Sequence, residues 1–570
     1  MSLITRFRPA PAPAEDATPK KAHPYLSAAL TAGAALVVLL VLIVPNGVAR
    51  HKVGVFMPGA FLRIPLEGLL GAAILIALPT RARRIAAVLL GLALGLFAVL
   101  RLVTLGFLYV LGRSFDAVLD WPLLGDGYNA LTETNGRAVA MSAVVGAIVL
   151  AVVSISVLTL AVVRLARITA AYRVPATRTV TAVLAAWVAF ALVGTQLFPS
   201  APVASDTAAR FVKSTALKVP AAIRDKKAFA AEARKDAFAN TPPNQFLAGL
   251  RGKDVVVGVV ESYGRSALED PKMAAVVDPV LAAGTKDLAA AGYSAKSGFL
   301  TSSTFGGGSW LAHATFQSGL WIDNEQRYRQ VVSSERLTLT NAFHRGGWHT
   351  VSVEPGNTEA WPESAFYGYD EDYDSRNLGY QGPRFGWSRM PDQYTLAQFQ
   401  RNVYSKPNHA PLMAEITLTS SHQPWTATPK LIDWDAVGDG SVYGPMAKTG
   451  KSKSSLWKNP EKTQNAYATS IAYSVGALIS WVEKYGDDNL VLIMFGDHQP
   501  VPVVSGPGAS HDVPVTIVAH DKKVLDRIAG WGWQDGLKPS PQAPVWPMNA
   551  FRDKFFTAYM APEEPSSATH

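Results

Sequence analysis

Four short patterns in the chain carry side chains suited to chemistry: Val259-Val260-Glu261-Ser262, Gly306-Gly307-Gly308-Ser309, Ser420-Ser421-His422 and Phe495-Gly496-Asp497-His498. Two carboxylates and an imidazole form a hard oxygen and nitrogen set that suits Mn²⁺, Mg²⁺ or Zn²⁺. A hydroxyl beside such a cation can be deprotonated and attack phosphorus. Ser309 is the hydroxyl the pattern favours, and Thr304 in the same loop is its rival. Three glycines let the backbone approach a ligand closely. Ser309 is expected to cap a helix over Trp310–Gln317, whose free N–H groups favour an anion.

Elements that could position these groups are visible around them. The runs Asp254–Val260, Trp348–Val353, Leu412–Leu418 and Leu490–Phe495 are apolar and read as buried strands. They end at Glu261, at Glu354, near His422 and at Asp497-His498. Val513–Val518 is one more strand. A helix over Ala466–Tyr485 sets Ile471, Val475, Leu478, Ile479 and Val482 on one face, with Gly486 placed to stop it. Strand–helix alternation implies an α/β sandwich with a mostly parallel sheet. Ligands sit outside the carboxyl ends of such strands, so Glu261, His422, Asp497 and His498 are expected to converge on one rim. No repeat, Walker loop, HExxH or zinc-finger spacing is present.

The chain has 570 residues, too many for one ordinary domain, and its charge is unevenly spread. Residues 1–200 hold 17 Lys/Arg and 7 Asp/Glu, a balance of +10, and the remainder 36 and 37, a balance of −1. The excess lies between apolar segments, where topology signals belong, and argues against nucleic acid as a partner. Cysteine is absent, which removes disulfides and thiolate chemistry. Five spans are expected, at 25–45, 61–79, 85–112, 138–163 and 179–198. The second is the weakest, because it contains Arg63 and Glu67. The loops with Arg81, Arg83 and Arg84, and with Arg164, Arg167, Arg173 and Arg178, are basic. The loop from Arg113 to Arg137 holds Asp116, Asp120, Asp126 and Glu133, whereas Arg50-His51-Lys52 runs against the bias. The balance places the N-terminus in the cytoplasm and the C-terminal domain outside the cell. Arg101 is expected to face the bundle interior or to snorkel, and the stretch Phe115–Leu124 to lie in the membrane interface. Residues 1–200 then form a transmembrane domain and 201–245 a membrane-proximal connector with a helix over Ala222–Ala239. Residues 246–538 form the catalytic domain and 539–570 a C-terminal tail.

Taken together, the ordered set Val-Val-Glu261-Ser, Gly-Gly-Gly-Ser309, Ser-Ser-His422 and Phe-Gly-Asp497-His498, behind N-terminal spans, resembles the lipoteichoic acid synthase-like family. That family is the phosphoglycerol and phosphoethanolamine transferase branch of the alkaline phosphatase/sulfatase superfamily. The resemblance implies that Glu261, Ser309, Asp497 and His498 coordinate one metal, Mn²⁺ with Mg²⁺ or Zn²⁺ as alternatives. It implies a covalent phospho-intermediate on the hydroxyl loop, with His422 contacting the phosphate or protonating a leaving group. Trp361 matches an aromatic substrate-site position, and Glu354 stands where the family has a histidine. Two further departures are Ser309 where the family usually has threonine, and Glu363 where it has an arginine. Without Cys or a Ser-x-Pro-x-Arg sequence, sulfate-ester hydrolysis is disfavoured. The activity implied is transfer of a phospho-head group from a membrane phospholipid to a cell-envelope polymer or glycan, at the bacterial plasma membrane. The rival readings are a phosphatase or phosphodiesterase that uses water as acceptor, and a non-catalytic envelope protein that binds lipid or polymer.

Overall fold

The structure, a computed structural model, describes residues 24–43, 62–111, 113–198, 201–407, 409–450 and 453–560. The basic start with Arg6, Arg8, Lys20 and Lys21, the Arg50-His51-Lys52 loop and residues 561–570 lie outside the described residues. The chain divides into two compact units, one made of Met1–Val44, Pro58–Val99 and Leu150–Ala208, the other of the remaining segments.

Among the described residues, four helices are long and apolar enough to cross a membrane: Tyr25–Ile43, Thr80–Leu111, Arg137–Ala171 and Arg173–Val193. The second expected span, 61–79, is corrected. Its helix runs only over Leu66–Ala77, 12 residues, or about 18 Å at ~1.5 Å per residue, short of a ~30 Å hydrocarbon core. Pro65 stands at its entry and Leu78 leaves the helical region before Pro79. In the first unit, a Cβ on Gly91 or Gly95 would fall 2.5 Å or 2.6 Å from the Cα of Thr159 or Ile155. The helices Thr80–Leu111 and Arg137–Ala171 thus pack backbone to backbone through small residues, as membrane helices do.

The second unit is built on a nine-stranded sheet. Its strands are β1 (Asp254–Val260), β2 (Ser294–Thr301), β3 (His349–Glu354), β4 (Glu371–Asp374), β5 (Leu412–Leu418), β6 (Leu490–Gly496), β7 (Asp512–Ala519), β8 (Gln534–Asp535) and β9 (Val545–Pro547). The spatial order is β8-β2-β7-β6-β1-β5-β3-β4, with β9 also beside β2. The run β6-β1-β5-β3-β4 is parallel throughout, whereas β7 is antiparallel to both neighbours and β8 to β2. The sheet is therefore mixed, parallel where the strands that precede Glu261, His422 and Asp497-His498 end. All seven residues of β1 are buried, as both faces are covered. Val256 and Val260 pack with Val277, Leu281, Val475 and Leu478 of the helices Pro271–Ala290 and Pro460–Tyr485. Val255, Val257 and Val259 pack on the other face with Phe316, Phe551 and Phe555.

Two segment expectations change. Residues 539–560 are not a tail: β9 adds to the sheet, and the helix Ala550–Tyr559 buries Phe551, Phe555, Phe556 and Tyr559. The connector helix is Thr207–Ala233 rather than Ala222–Ala239. Just beyond it, Asp236 pairs with the fully buried Arg552 at 2.9 Å and with Arg336 at 3.2 Å. Within the same unit, the acidic loop is committed to ion pairs. Asp120 holds Arg113 at 2.6 Å, Asp116 lies 3.3 Å from Lys218, and Glu133 receives Arg384 at 2.9 Å and Arg389 at 2.6 Å. Part of the Phe115–Leu124 stretch begins the helix Pro122–Asn135. Arg101 is buried.

Candidate active site

The register of the parallel strands sets the site. Val260 of β1 lies opposite Gly496 of β6 and Leu418 of β5, so Glu261, Asp497 and Thr419 leave the sheet at one level. Glu261 is anchored by its own N–H to the Leu418 carbonyl at 3.2 Å. Ser262 takes the left-handed conformation (φ 58°), which turns its N–H onto Asp497 Oδ1 at 2.7 Å. The His498 N–H donates to the same oxygen at 2.7 Å. Asp497 Oδ2 is buried with no hydrogen-bond partner. A buried carboxylate oxygen left this way calls for a cation.

His498 is oriented for the same purpose. Its Nδ1–H donates to the Gln499 carbonyl at 2.8 Å. That leaves Nε2 3.2 Å from Ser309 Oγ, 3.4 Å from Glu261 Oε1 and 3.5 Å from Asp497 Oδ2. Fixing one imidazole nitrogen on a carbonyl to present the other is how metal-binding histidines are held. Ser309 Oγ donates to Glu261 Oε2 at 3.0 Å. Ligand atoms of Glu261, Asp497 and His498 lie within 4.8 Å of one another. With the Ser309 hydroxyl they make three oxygens and one nitrogen, a donor set that fits one hard divalent cation. Burial alone would raise Glu261, but His498 beside it holds its carboxyl well below the usual range. Burial and the Glu261 charge push Asp497 up to about 6. Burial works against His498 as a cation, yet Asp497 and Glu261 lift it to about 9.

The glycine run explains the position of Ser309. Gly306, Gly307 and Gly308 have φ of 72°, 150° and 83°, a path an L side chain resists. Gly308, not Ser309, is the N-cap, and the helix runs Ser309–Ser318. The cap expectation is corrected by one residue. The hydroxyl is freed from capping and turned to Glu261. Phe316 on this helix stacks on Phe495 of β6 at 4.1 Å and on Phe551 at 4.5 Å, which fixes the helix to the strand that delivers Asp497.

The other expected residues are placed as follows. Thr304 is buried and its Oγ1 has no hydrogen-bond partner. His422 stacks on Trp387 at 3.9 Å and its Nδ1–H donates to the Gln423 carbonyl at 2.6 Å. Burial pulls its pKa down, so the ring is neutral and Nε2 carries the lone pair. Glu354, at the end of β3, accepts from Thr417 Oγ1 at 2.7 Å, and burial pushes it up to about 7. With Trp361 it lines a cavity of about 290 Å³. Trp361 packs on Tyr367 at 5.2 Å.

A second group went unread in the sequence. His313, Glu354 and Glu415 lie together, His313 Nδ1 being 3.2 Å from Glu415 Oε1 and 4.0 Å from Glu354 Oε1. The signal was available in two places: a histidine four residues after Ser309, and a charge inside the apolar run Leu-Met-Ala-Glu415-Ile-Thr-Leu.

Residues 253–515 match the protein-family model described as Sulfatase. No curated protein matches the chain in sequence. Among solved structures, the chain is similar to the lipoteichoic acid synthase LtaP from Listeria monocytogenes, at 13% identity and a TM-score of 0.38, over 60% of this chain and 79% of that one. It is also similar to the Streptococcus pyogenes phosphoglycerol transferase GacH in complex with sn-glycerol-1-phosphate, at 12% identity and a TM-score of 0.33, over 59% and 91%. A third is the C-terminal periplasmic domain of EptC from Escherichia coli, at 16% identity and a TM-score of 0.31, over 48% and 73%. The stretch that supplies Glu261, Ser309, His422, Asp497 and His498 is thus the one that matches the Sulfatase family model.

Proposed function

We propose that the protein is a membrane-bound, metal-dependent phosphotransferase that moves a phospho-head group of the phosphoglycerol or phosphoethanolamine type. The donor is a membrane phospholipid and the acceptor a hydroxyl of a cell-envelope polymer or glycan. The observation that carries the reading is Ser309 Oγ, 3.0 Å from Glu261 and 3.2 Å from His498 Nε2, in the first turn of a helix whose free N–H groups favour a phosphate. Glu261, Asp497, His498 and Ser309 would hold Mn²⁺, which supplies Lewis acidity and lowers the pKa of the hydroxyl. Ser309 Oγ then forms a bond to phosphorus as the bond to the diacylglycerol oxygen breaks, and that oxygen leaves with the proton that Ser309 has given up. In the second half, the acceptor oxygen forms the new bond to phosphorus and the Ser309 ester breaks. The neutral His422 takes the acceptor proton.

A lipid donor is supported by a second cavity of about 570 Å³. It is lined by Leu108 and Leu111 at the end of the apolar helix, and by Gly307, Gly308 and Trp310 beside the nucleophile. The N-terminal helices would keep donor and site at one surface, with the catalytic domain outside the cell and the N-terminus in the cytoplasm, which raises the local concentration of lipid.

The test is mass spectrometry of the detergent-solubilised protein after incubation with isotope-labelled membrane lipids and Mn²⁺. A head-group adduct on Ser309, discharged by an added glycan but stable in buffer, is the expected result. An adduct on Thr304 moves the nucleophile; rapid discharge to water makes the enzyme a hydrolase.

A further inference from the structure

Ser309 opens its helix, and His313 stands one turn further on, on the same face. Helical side chains lean toward the N-terminus, so the His313 ring leans toward the turn that holds Ser309. Glu415 meets the ring from the middle of β5, and Glu354 from the end of β3. Glu415 is 2% exposed. Its other oxygen already accepts the Tyr369 hydroxyl at 2.8 Å and the Gln317 amide. A carboxylate buried mid-strand is unfavourable without a cation beside it. His313 is that cation. Burial works against its charge, but the Glu415 contact, with Glu354 behind it, raises it to about 9.

A protonated imidazole has two N–H donors. Nδ1–H is spent on Glu415, whereas Nε2 is buried with no hydrogen-bond partner. The three side chains also have the spacing of a second cation site. Glu415, however, already accepts from three donors, and the nitrogen that faces it carries a proton. The group is therefore a carboxylate–imidazolium pair with one unused donor, set one helical turn from the nucleophile.

We propose that His313, held by Glu415, is a further catalytic residue whose Nε2–H donates to a non-bridging oxygen of the phosphoryl group as it bonds to Ser309. This rests on the reading of Ser309 as the phospho-acceptor. One such donor to developing charge contributes about 10²–10³ in rate.

The test is single-turnover labelling of Ser309 in the full-length protein in detergent, with labelled phospholipid and Mn²⁺. Labelling rate, Mn²⁺ affinity and thermal midpoint are read on each variant. His313→Ala is expected to slow labelling by about 10²-fold or more with Mn²⁺ affinity unchanged. His313→Gln, whose amide can reach the Nε2 position, is expected to recover part of the loss. Glu415→Gln removes the carboxylate and leaves only Glu354, with Asp497 farther off, to hold the proton on His313; the rate should then fall at a lower pH than in the wild type. Because His313→Ala strands the Glu415 charge, the uncharged double variant His313→Ala/Glu415→Gln carries the test if the single variant does not fold. Wild-type labelling rates in both alanine variants overturn the proposal. So does the loss in His313→Ala of a second bound Mn²⁺ that the wild type holds. An unlabelled wild type instead overturns the phosphotransfer reading itself, and this one with it.

Discussion

A serine hydroxyl is a weak nucleophile until its surroundings favour the alkoxide. Here a carboxylate accepts its proton's hydrogen bond, an imidazole nitrogen lies on its other side, and an unpartnered Asp497 oxygen completes the cluster. Removing that oxygen tests the metal reading directly. Asp497→Asn is expected to weaken Mn²⁺ binding by more than the 10–100-fold that loss of even an outer-shell partner costs, measured by calorimetric titration. Thr304→Ala, by contrast, should leave both Mn²⁺ affinity and Ser309 labelling within about threefold, since the buried Thr304 hydroxyl makes no hydrogen bond that the change would remove. Glu261 and Asp497 were legible because each follows an apolar strand directly, His422 because its loop leaves another, and Ser309 because three glycines precede it. His313 and Glu415 were not, because each gives only a single-residue signal and their partnership joins a helix to the middle of a strand 102 residues away.

At the level of elements, strands β1 and β5 run over Asp254–Val260 and Leu412–Leu418, as their largely apolar runs indicated, because both faces of a parallel strand are covered and a polar residue inside it, such as Glu415, needs a buried partner. The membrane segments were less legible. A run of apolar residues at 61–79 resembles a span in composition, while its prolines decide how much of it is helix. The turn at Gly496 was also more constrained than its sequence suggested. A Cβ there would fall 1.9 Å from the Tyr263 carbonyl oxygen, in the turn that follows Glu261. Gly496→Ala must therefore push apart the two loops that carry Glu261 and Asp497. We expect it to abolish Ser309 labelling and weaken Mn²⁺ binding at least tenfold while the protein remains folded by circular dichroism. An alanine variant with wild-type affinity would show that the loops are not held this tightly.

Across the whole molecule, one buried acid couples the site loop to global stability. Asp392 is fully buried; its carboxylate accepts the Ser420 N–H at 2.9 Å, and its own N–H donates to Ser420 Oγ at 3.0 Å. Its second oxygen has no partner, and burial pushes it up to about 6 from 3.8. The folded state thus binds this proton more tightly than the unfolded chain. The resulting stabilisation is full below the unfolded value, near pH 4, and is lost as pH rises through 6. It amounts to roughly 2–3 kcal/mol. Asp392→Asn is expected to gain stability relative to wild type between pH 4 and 7 and to run parallel above that, read from denaturant midpoints in detergent.

The sheet also dictates an order of events during synthesis. Strand β2 is made early, yet its neighbours β7, β8 and β9 begin 218, 240 and 251 residues after its first residue, Ser294. Until Val545–Pro547 and the helix that follows leave the ribosome, β2 is an open edge and the sockets for Phe551 and Phe555 stand empty. Long-range pairing of this kind is slow and exposes apolar surface while it waits. A nascent chain paused before β9 therefore holds every metal ligand but no closed fold, with the β2 edge and the sockets for Phe551 and Phe555 exposed for that interval.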